Sequence, residues 1–314
     1  MKKFLLKIVV FLLITGGVAG ACTAFVFGVA APQYRFNYNA SISDKMQRLE
    51  SIQESKIVLV GNSNLPFGID SKRIQEEIKM PVVNLGLHGG LGNYFHEAMA
   101  KECINEGDVI VLCHTSYATS GITEPDIVWQ MLEERPDLIK LVRPEDRFAV
   151  LRALPEYIQK TMIFYLRKTG NQDTEDCYSR NAFNEYGDNV FQRPDNEYEF
   201  RSWSNQIPEI DRENIERINE LNRYCEERGA SLVIAGYPIG YGKHTPEKEK
   251  YEAFQRELEN VMDCAVISDF TDYFIEYQYF YNTQFHLTDE GVQIRTGQLI
   301  SDIKEWMQKN DSMD

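Results

Sequence analysis

A chain of 314 residues, 43% of them hydrophobic and 26% charged, can bury a core for one large domain or two small ones. A net charge of −15 argues against nucleic acid or an anionic membrane surface as a direct partner. The asymmetry sharpens this: only Lys2, Lys3 and Lys7 are charged among the first 31 residues, leaving 30 basic against 48 acidic side chains in the rest.

From Ile8 to Ala31 the chain has 24 consecutive uncharged residues, about 36 Å of helix and enough to cross a hydrocarbon core of about 30 Å. Lysines before this stretch and none close after it predict a single-pass anchor, with the N-terminus inside and the C-terminal domain outside the cell membrane. Two other readings stay open: a signal peptide cleaved after Ala19-Gly-Ala21, and a lipid-modified Cys22. The anchor is preferred because apolarity runs on through Phe25-Val-Phe27. The organisation expected is an anchor over 1–31, a connector over 32–55 and one α/β domain over 56–314.

Within the connector, Met46, Leu49 and Ile52 sit at helical spacing. Lys56-Ile-Val-Leu-Val60 is a short, continuously apolar strand of largely β-branched residues, the pattern of a strand buried on both faces. It runs into Gly61-Asn62-Ser63-Asn64, and Asp70 or Ser71 can cap a helix through Ile78. Met80 to Gly86 is the second strand, followed by the glycine-rich turn His88-Gly89-Gly90-Leu-Gly92 and a helix from about Asn93 to Ile104. Gly107 to Cys113 is the third strand. This alternation predicts a parallel sheet with helices on both faces.

Residues 118–206 interrupt the rhythm, with helices expected at 124–134 and 144–168 and then a long aromatic and polar stretch from Asp173 to Trp203. They read as an insertion shaping the mouth of a site. The rhythm resumes with a helix at 210–228, a strand at Ser231–Gly236, a helix at 246–261, a strand at Ala265–Ser268, and a last helix from Thr288 to about Met307. The six cysteines show neither a CxxC pair nor metal-ligand spacing, and no disulfide, metal or cofactor is predicted.

Ser63 follows the first strand, where open α/β sheets place their ligands. His286, in Tyr281-Asn282-Thr-Gln-Phe-His286-Leu-Thr-Asp-Glu-Gly291, precedes the last helix and can reach the same sheet edge as a general base. Gly89 and Gly90 lack a Cβ and allow a substrate close to the backbone of that edge. Each residue also has a purely structural reading: Ser63 as a helix cap, and His286 as a histidine that binds the loop before it. His88 and His114 lie near the same edge, without the carboxylate spacing that a metal site needs, and His96 reads as surface or packing. The aromatic run Tyr273, Phe274, Tyr277, Tyr279, Phe280 and Tyr281 reads as packing first and as a sugar-stacking platform second.

The blocks Gly61-Asn62-Ser63-Asn64, Asn84-Leu-Gly86-Leu-His-Gly89 and Asn282-x-x-x-His286-Leu-Thr-x-x-Gly291 resemble those of the SGNH (GDSL-type) hydrolase superfamily. More narrowly, the chain resembles its extracytoplasmic members of bacterial envelope and exopolysaccharide assembly, such as the D-alanyl transfer and alginate acetylation proteins. The resemblance covers 56–117 and 208–307. It implies a three-layer α/β/α, flavodoxin-like fold with a mainly parallel five-stranded sheet, Ser63 as nucleophile, His286 as base, and the Ser63 and Gly89 amides as oxyanion donors, with Gly86 in the same block. It further implies a serine esterase or O-acyltransferase acting on an acylated surface glycan or another ester, with envelope assembly proteins as partners.

Two positions depart from the family pattern. The third block reads Cys113-His114-Thr-Ser-Tyr117 and lacks the usual side-chain oxyanion donor, a role left to Asn93, His114 or Tyr117. Asn282 stands where an Asp is usual, so that either Asn282 or one of Asp269 and Asp272 orients the base. The same departures motivate a second reading, a weakly active or inactive SGNH-fold protein that binds glycan or scaffolds an assembly complex.

Overall fold

The computed structural model describes residues 2–118 and 120–311. Helix α1 (Lys2–Phe25) runs into a π-type turn at Val26–Ala30, and together they form a 29-residue apolar span whose most apolar stretch has a mean hydropathy of 2.2 and no buried residue. This N-terminal helix is long and apolar enough to cross a membrane. The short helix expected in the connector is α2 (Ile42–Ser51), which buries Ile42, Met46 and Leu49; Ile52, included in the expected stripe, falls just past its end.

The domain is α/β. Strands β1 (Ile57–Val60), β2 (Val82–Asn84), β3 (Val109–Leu112), β4 (Ser231–Ile234) and β6 (Ala265–Val266) form one sheet in the order β2-β1-β3-β4-β6, with every neighbouring pair parallel. Alternation along β1 explains its continuous apolarity: Val58 and Val60 enter one buried cluster while Ile57 and Leu59 enter another. The first cluster takes in Phe95 and Met99 of α4 (Gly92–Lys101) and Ile218 and Leu221 of α7 (Arg212–Glu226). The second takes in Ile74 of α3 (Ser71–Ile78) and Leu299, Ile300 and Ile303 of α9 (Asp289–Asp311). From β1 the chain order runs to β2 on one side and β3 on the other, so the strand order reverses at the C-terminal end of β1.

Most boundaries differ from the sequence expectation by one to three residues, and three of the differences are of note. Lys56 precedes β1 instead of opening it, and Cys113 follows β3. The stretch 144–168 divides into a 3-10 turn at Pro144–Asp146 and α6 (Arg147–Arg167). A second, two-stranded parallel sheet pairs β5 (Ile239–Tyr241) with β7 (Phe274–Glu276); three-residue strands carry too short a pattern to read.

The insertion folds back on the domain. α5 (Pro125–Leu132) packs on α6, and the irregular stretch beyond closes the free edge of β2. There the Asn84 amide donates to the Tyr186 carbonyl at 2.9 Å, and Lys45 Nζ donates to the carbonyls of Asn84 and Gly187. A strand edge that would otherwise offer unpaired backbone groups is thereby covered.

At the opposite end of the strands from Ser63, Lys56 Nζ lies 2.9 Å from Asp108 Oδ2 with both side chains wholly buried. Asp108 also accepts from the amides of Lys56 and Asn105. Removing one partner strands a charge, so Asp108→Ala is expected to lose about 3–5 kcal/mol. Lys56→Met combined with Asp108→Leu is expected to recover most of it. Urea unfolding of the two variants checks this, and equal losses would contradict the charge explanation.

Candidate active site

The turn after β1 is held by side chains on both sides of Ser63. Asn62 Oδ1 accepts from the Asn64 amide at 2.9 Å and from Asn64 Nδ2 at 2.7 Å, while Asn62 Nδ2 donates to Thr115 Oγ1 at 2.7 Å. Asn64 Nδ2 also donates to the Cys113 carbonyl. Arg295 of α9, fully buried, donates to the Asn64 carbonyl at 2.5 Å and to Asn64 Oδ1 at 2.7 Å. Gly68 has to be glycine here, because a Cβ would come within 2.4 Å of the Asn64 carbonyl oxygen and 2.5 Å of Arg295 Nη1. Backbone and side chain are thus both constrained at the residue after the serine, which fixes the direction of the Ser63 side chain.

The histidine arrives from the other end of the chain. The His286 amide donates to Thr283 Oγ1, its carbonyl accepts from the Tyr281 amide at 2.8 Å, and the next amide, Leu287, donates to the Phe67 carbonyl at 3.0 Å. The imidazole stacks on the Phe67 ring at 3.9 Å between centroids with 7° between planes. His286 Nε2 then lies 2.9 Å from Ser63 Oγ, and His286 Nδ1 lies 2.8 Å from Asn282 Oδ1. Asn282 Nδ2 in turn donates to Tyr178 Oη at 3.0 Å. With its amide nitrogen engaged that way, Asn282 presents oxygen to the ring, so the proton sits on Nδ1 and the Nε2 lone pair meets the serine hydroxyl.

Among the described residues no carboxylate contacts the ring. Asp269 caps the Thr271 amide and hydroxyl, and neither it nor Asp272 contacts the ring, so the role left open between them and Asn282 falls to Asn282. Burial pushes the His286 pKa down to about 3, with the nearby Arg193 guanidinium and His88 acting in the same direction. Arg193, 2% exposed, lies over the Phe67 ring at 5.1 Å and donates to Asn189 Oδ1.

The proposed oxyanion residues separate. Gly89 is exposed and lines a cleft of about 420 Å³ together with Ser63, His286, His88, Tyr178 and Trp203. Gly86 does not open onto it: its amide donates to Asn84 Oδ1 at 2.9 Å, and a Cβ there would lie 2.4 Å from Pro66 Cδ. Asn93 Nδ2 donates to the Ser116 carbonyl at 2.8 Å and so supports the loop after β3. Tyr117 is 0% exposed, packed near His114 and Phe254, with burial raising its phenol well above the usual range. His114 is buried against Glu97, which Arg217 also grips. Burial alone would raise the Glu97 carboxyl, but these two partners hold it down to about 2. Among the described residues no group of three or more His, Cys, Asp or Glu could hold a metal ion.

Of the two readings of His96, surface or packing, packing holds: it lies wholly inside, where burial and the neighbouring His114 push its pKa down to about 3. Tyr273 and Phe280 of the aromatic run are also fully buried, and Tyr277 stacks on Phe200 at 3.9 Å. Most of that run is therefore packing. The site residues that the sequence reading missed are Phe67, Tyr178, Arg193 and Arg295. Only Arg295 left a signal, a charge on the Arg295–Leu299–Ile303 stripe of α9.

Two buried histidines at about 3 make stability fall with acid. Above pH 6.5 both are neutral whether folded or unfolded. As the pH drops below 6.5 the unfolded chain binds protons that the folded chain refuses until about 3. At about 1.4 kcal/mol per pH unit for each group, His96 and His286 together cost roughly 4 kcal/mol on going from pH 7 to pH 5. Urea midpoints at the two pH values are expected to show this loss, and His96→Gln is expected to show about half of it. A variant slope equal to that of the wild type would refute the assignment to His96.

No family model, curated protein or solved structure matches the chain.

Proposed function

We propose that the protein is a membrane-anchored serine esterase or O-acyltransferase of the SGNH type, with its domain outside the membrane, acting on an acylated cell-surface glycan. The observation that carries this reading is the linear array Ser63 Oγ, His286 and Asn282, with contacts of 2.9 and 2.8 Å. Nucleophile, base and orienting group are each within hydrogen-bond reach, which is the arrangement that acyl transfer requires. The parallel strand order matches the flavodoxin-like order of that superfamily, and the two buried clusters on alternate faces of β1 fit its three-layer form.

In this mechanism Ser63 Oγ attacks the ester carbonyl as its proton passes to His286 Nε2. The oxyanion rests on the Ser63 and Gly89 amides. Collapse of the tetrahedral intermediate breaks the bond to the sugar oxygen, which takes the proton from Nε2 and leaves as an alcohol. The acyl group on Ser63 is then attacked by water or by a second hydroxyl. That attacker's proton goes to Nε2 and back to Ser63 Oγ, and the free serine is restored. His88 lines the cleft with its Nδ1 accepting from the Gly90 amide at 3.0 Å, so that the neutral ring keeps its proton on Nε2 as a further donor for the substrate.

Labelling with a fluorophosphonate probe, followed by mapping of the modified peptide, tests this reading. Modification at Ser63 is expected; a folded protein that turns over no activated acetyl ester and shows no adduct would end it. The second reading, a catalytically lapsed scaffold beside envelope assembly proteins, draws on Asn282 in place of a carboxylate and on the lack of a side-chain donor after β3.

A further inference from the structure

Beside the Ser63 cleft lies a second one of about 380 Å³, and the two share Trp203, Gln284 and Phe285 as a common wall. We infer that they act as one groove, in which the second cleft holds the sugar portion of a neutral, O-acylated saccharide whose ester sits at Ser63. This inference rests on the acyl-transfer reading above and specifies the substrate for it.

Three observations point the same way. First, the lining is of the kind that recognises a sugar ring: Thr115, Ser116, Gln206 and Gln284 supply hydroxyls and amides for hydroxyl groups, and Trp203 and Phe285 supply aromatic faces for ring C–H groups. Trp203, on the wall that the two clefts share, is 55% exposed. Second, Gln284 Oε1 is buried and has no hydrogen-bond partner among the described residues, so the wall between the clefts holds an unused acceptor. Third, charge selects. Glu209 is the only formally charged side chain among the described residues lining either cleft, and neither contains a Lys or Arg. A uronate, phosphate or other anionic unit would meet a carboxylate with no cation to offset it, inside a chain whose net charge is already −15. A neutral unit, or one bearing an amine, meets no such penalty.

The test uses the full chain in detergent with three probes: p-nitrophenyl acetate, which needs only the Ser63 cleft, O-acetylated xylotetraose, and an O-acetylated galacturonate tetramer. The wild type is expected to prefer the neutral oligosaccharide over the anionic one by about tenfold or more. Gln206→Trp, which places a large ring in the second cleft from an exposed position, is expected to lower kcat/KM for the xylotetraose at least about tenfold relative to that for p-nitrophenyl acetate. Glu209→Lys is expected to reverse the preference between the two oligosaccharides. Equal use of both by the wild type, or an unchanged ratio in Gln206→Trp, would overturn the inference. A parallel arm titrates Ser63→Ala with xylotetraose by calorimetry. Should Ser63 prove unreactive with every ester, binding weakened by Gln206→Trp would keep the saccharide cleft and assign it to the scaffold reading. Absence of binding would remove both.

Discussion

Ser63→Ala is expected to abolish turnover of activated acetyl esters, with a loss of at least about 10²-fold in kcat, because the roughly 10⁶ of a complete triad is reduced by up to about 10⁴ where an amide orients the base. The size follows from the division of labour at the site. Without Oγ there is no nucleophile, and His286 can only act on water through a lone pair held 2.9 Å from a group that is no longer there. The fold should survive, because the turn is fixed by contacts that Ser63 Oγ does not make. Asn62, Asn64, Thr115 and Arg295 hold the backbone, and Phe67 and Asn282 hold the imidazole. A circular dichroism spectrum like that of the wild type, together with loss of probe labelling, is therefore the expected pair of results. Retained turnover in a folded Ser63→Ala protein would remove the serine from the chemistry. A cell carrying that variant with an undisturbed phenotype would favour the scaffold reading.

Asn282→Asp is expected to raise kcat by about tenfold or more, an unusual direction for a substitution at a site. An amide can orient His286, but it stabilises the imidazolium that forms during proton transfer less than a carboxylate does. In serine proteases the reverse exchange costs about 10⁴ in rate, which sets the ceiling for the gain. The surroundings tolerate the change. Tyr178 Oη now accepts from Asn282 Nδ2 and, by turning its hydroxyl, can donate to an aspartate oxygen in the same place. The pH profile supplies a second readout. In the wild type burial keeps His286 down to about 3, so the base is unprotonated and kcat/KM is expected to be level from pH 5 to 8. A carboxylate beside Nδ1 favours the protonated ring, raises its pKa, and should bring an acid limb into that window. A folded Asn282→Asp protein with no gain and an unaltered profile would show that Asn282 does not govern the base.

The strands of the five-stranded sheet were legible because each is a short apolar run bounded by turn residues, and β1 in particular is buried on both faces. The link between Ser63 and His286 was legible for a different reason: in a parallel sheet every strand ends at the same edge, so residues following β1 and preceding α9 can converge across 223 positions. Asn93 and Tyr117 show where such reasoning stops. Both lie near that edge in sequence terms, yet one supports the loop after β3 and the other is packed in the core. Sequence position brings a residue to the rim of a sheet, but its rotamer and its neighbours determine whether it opens onto the cleft.

The sequence by itself determined the apolar N-terminal span, the parallel α/β domain and the two blocks that bear the serine and the histidine, since each depends on the local spacing of apolar and turn residues. Only the tertiary structure decided that Asn282 meets His286, that Arg295 and Phe67 lock the two halves of the site, and that the insertion covers β2. Those outcomes arise from contacts between residues far apart in the chain, where packing and burial choose among partners that no local pattern distinguishes.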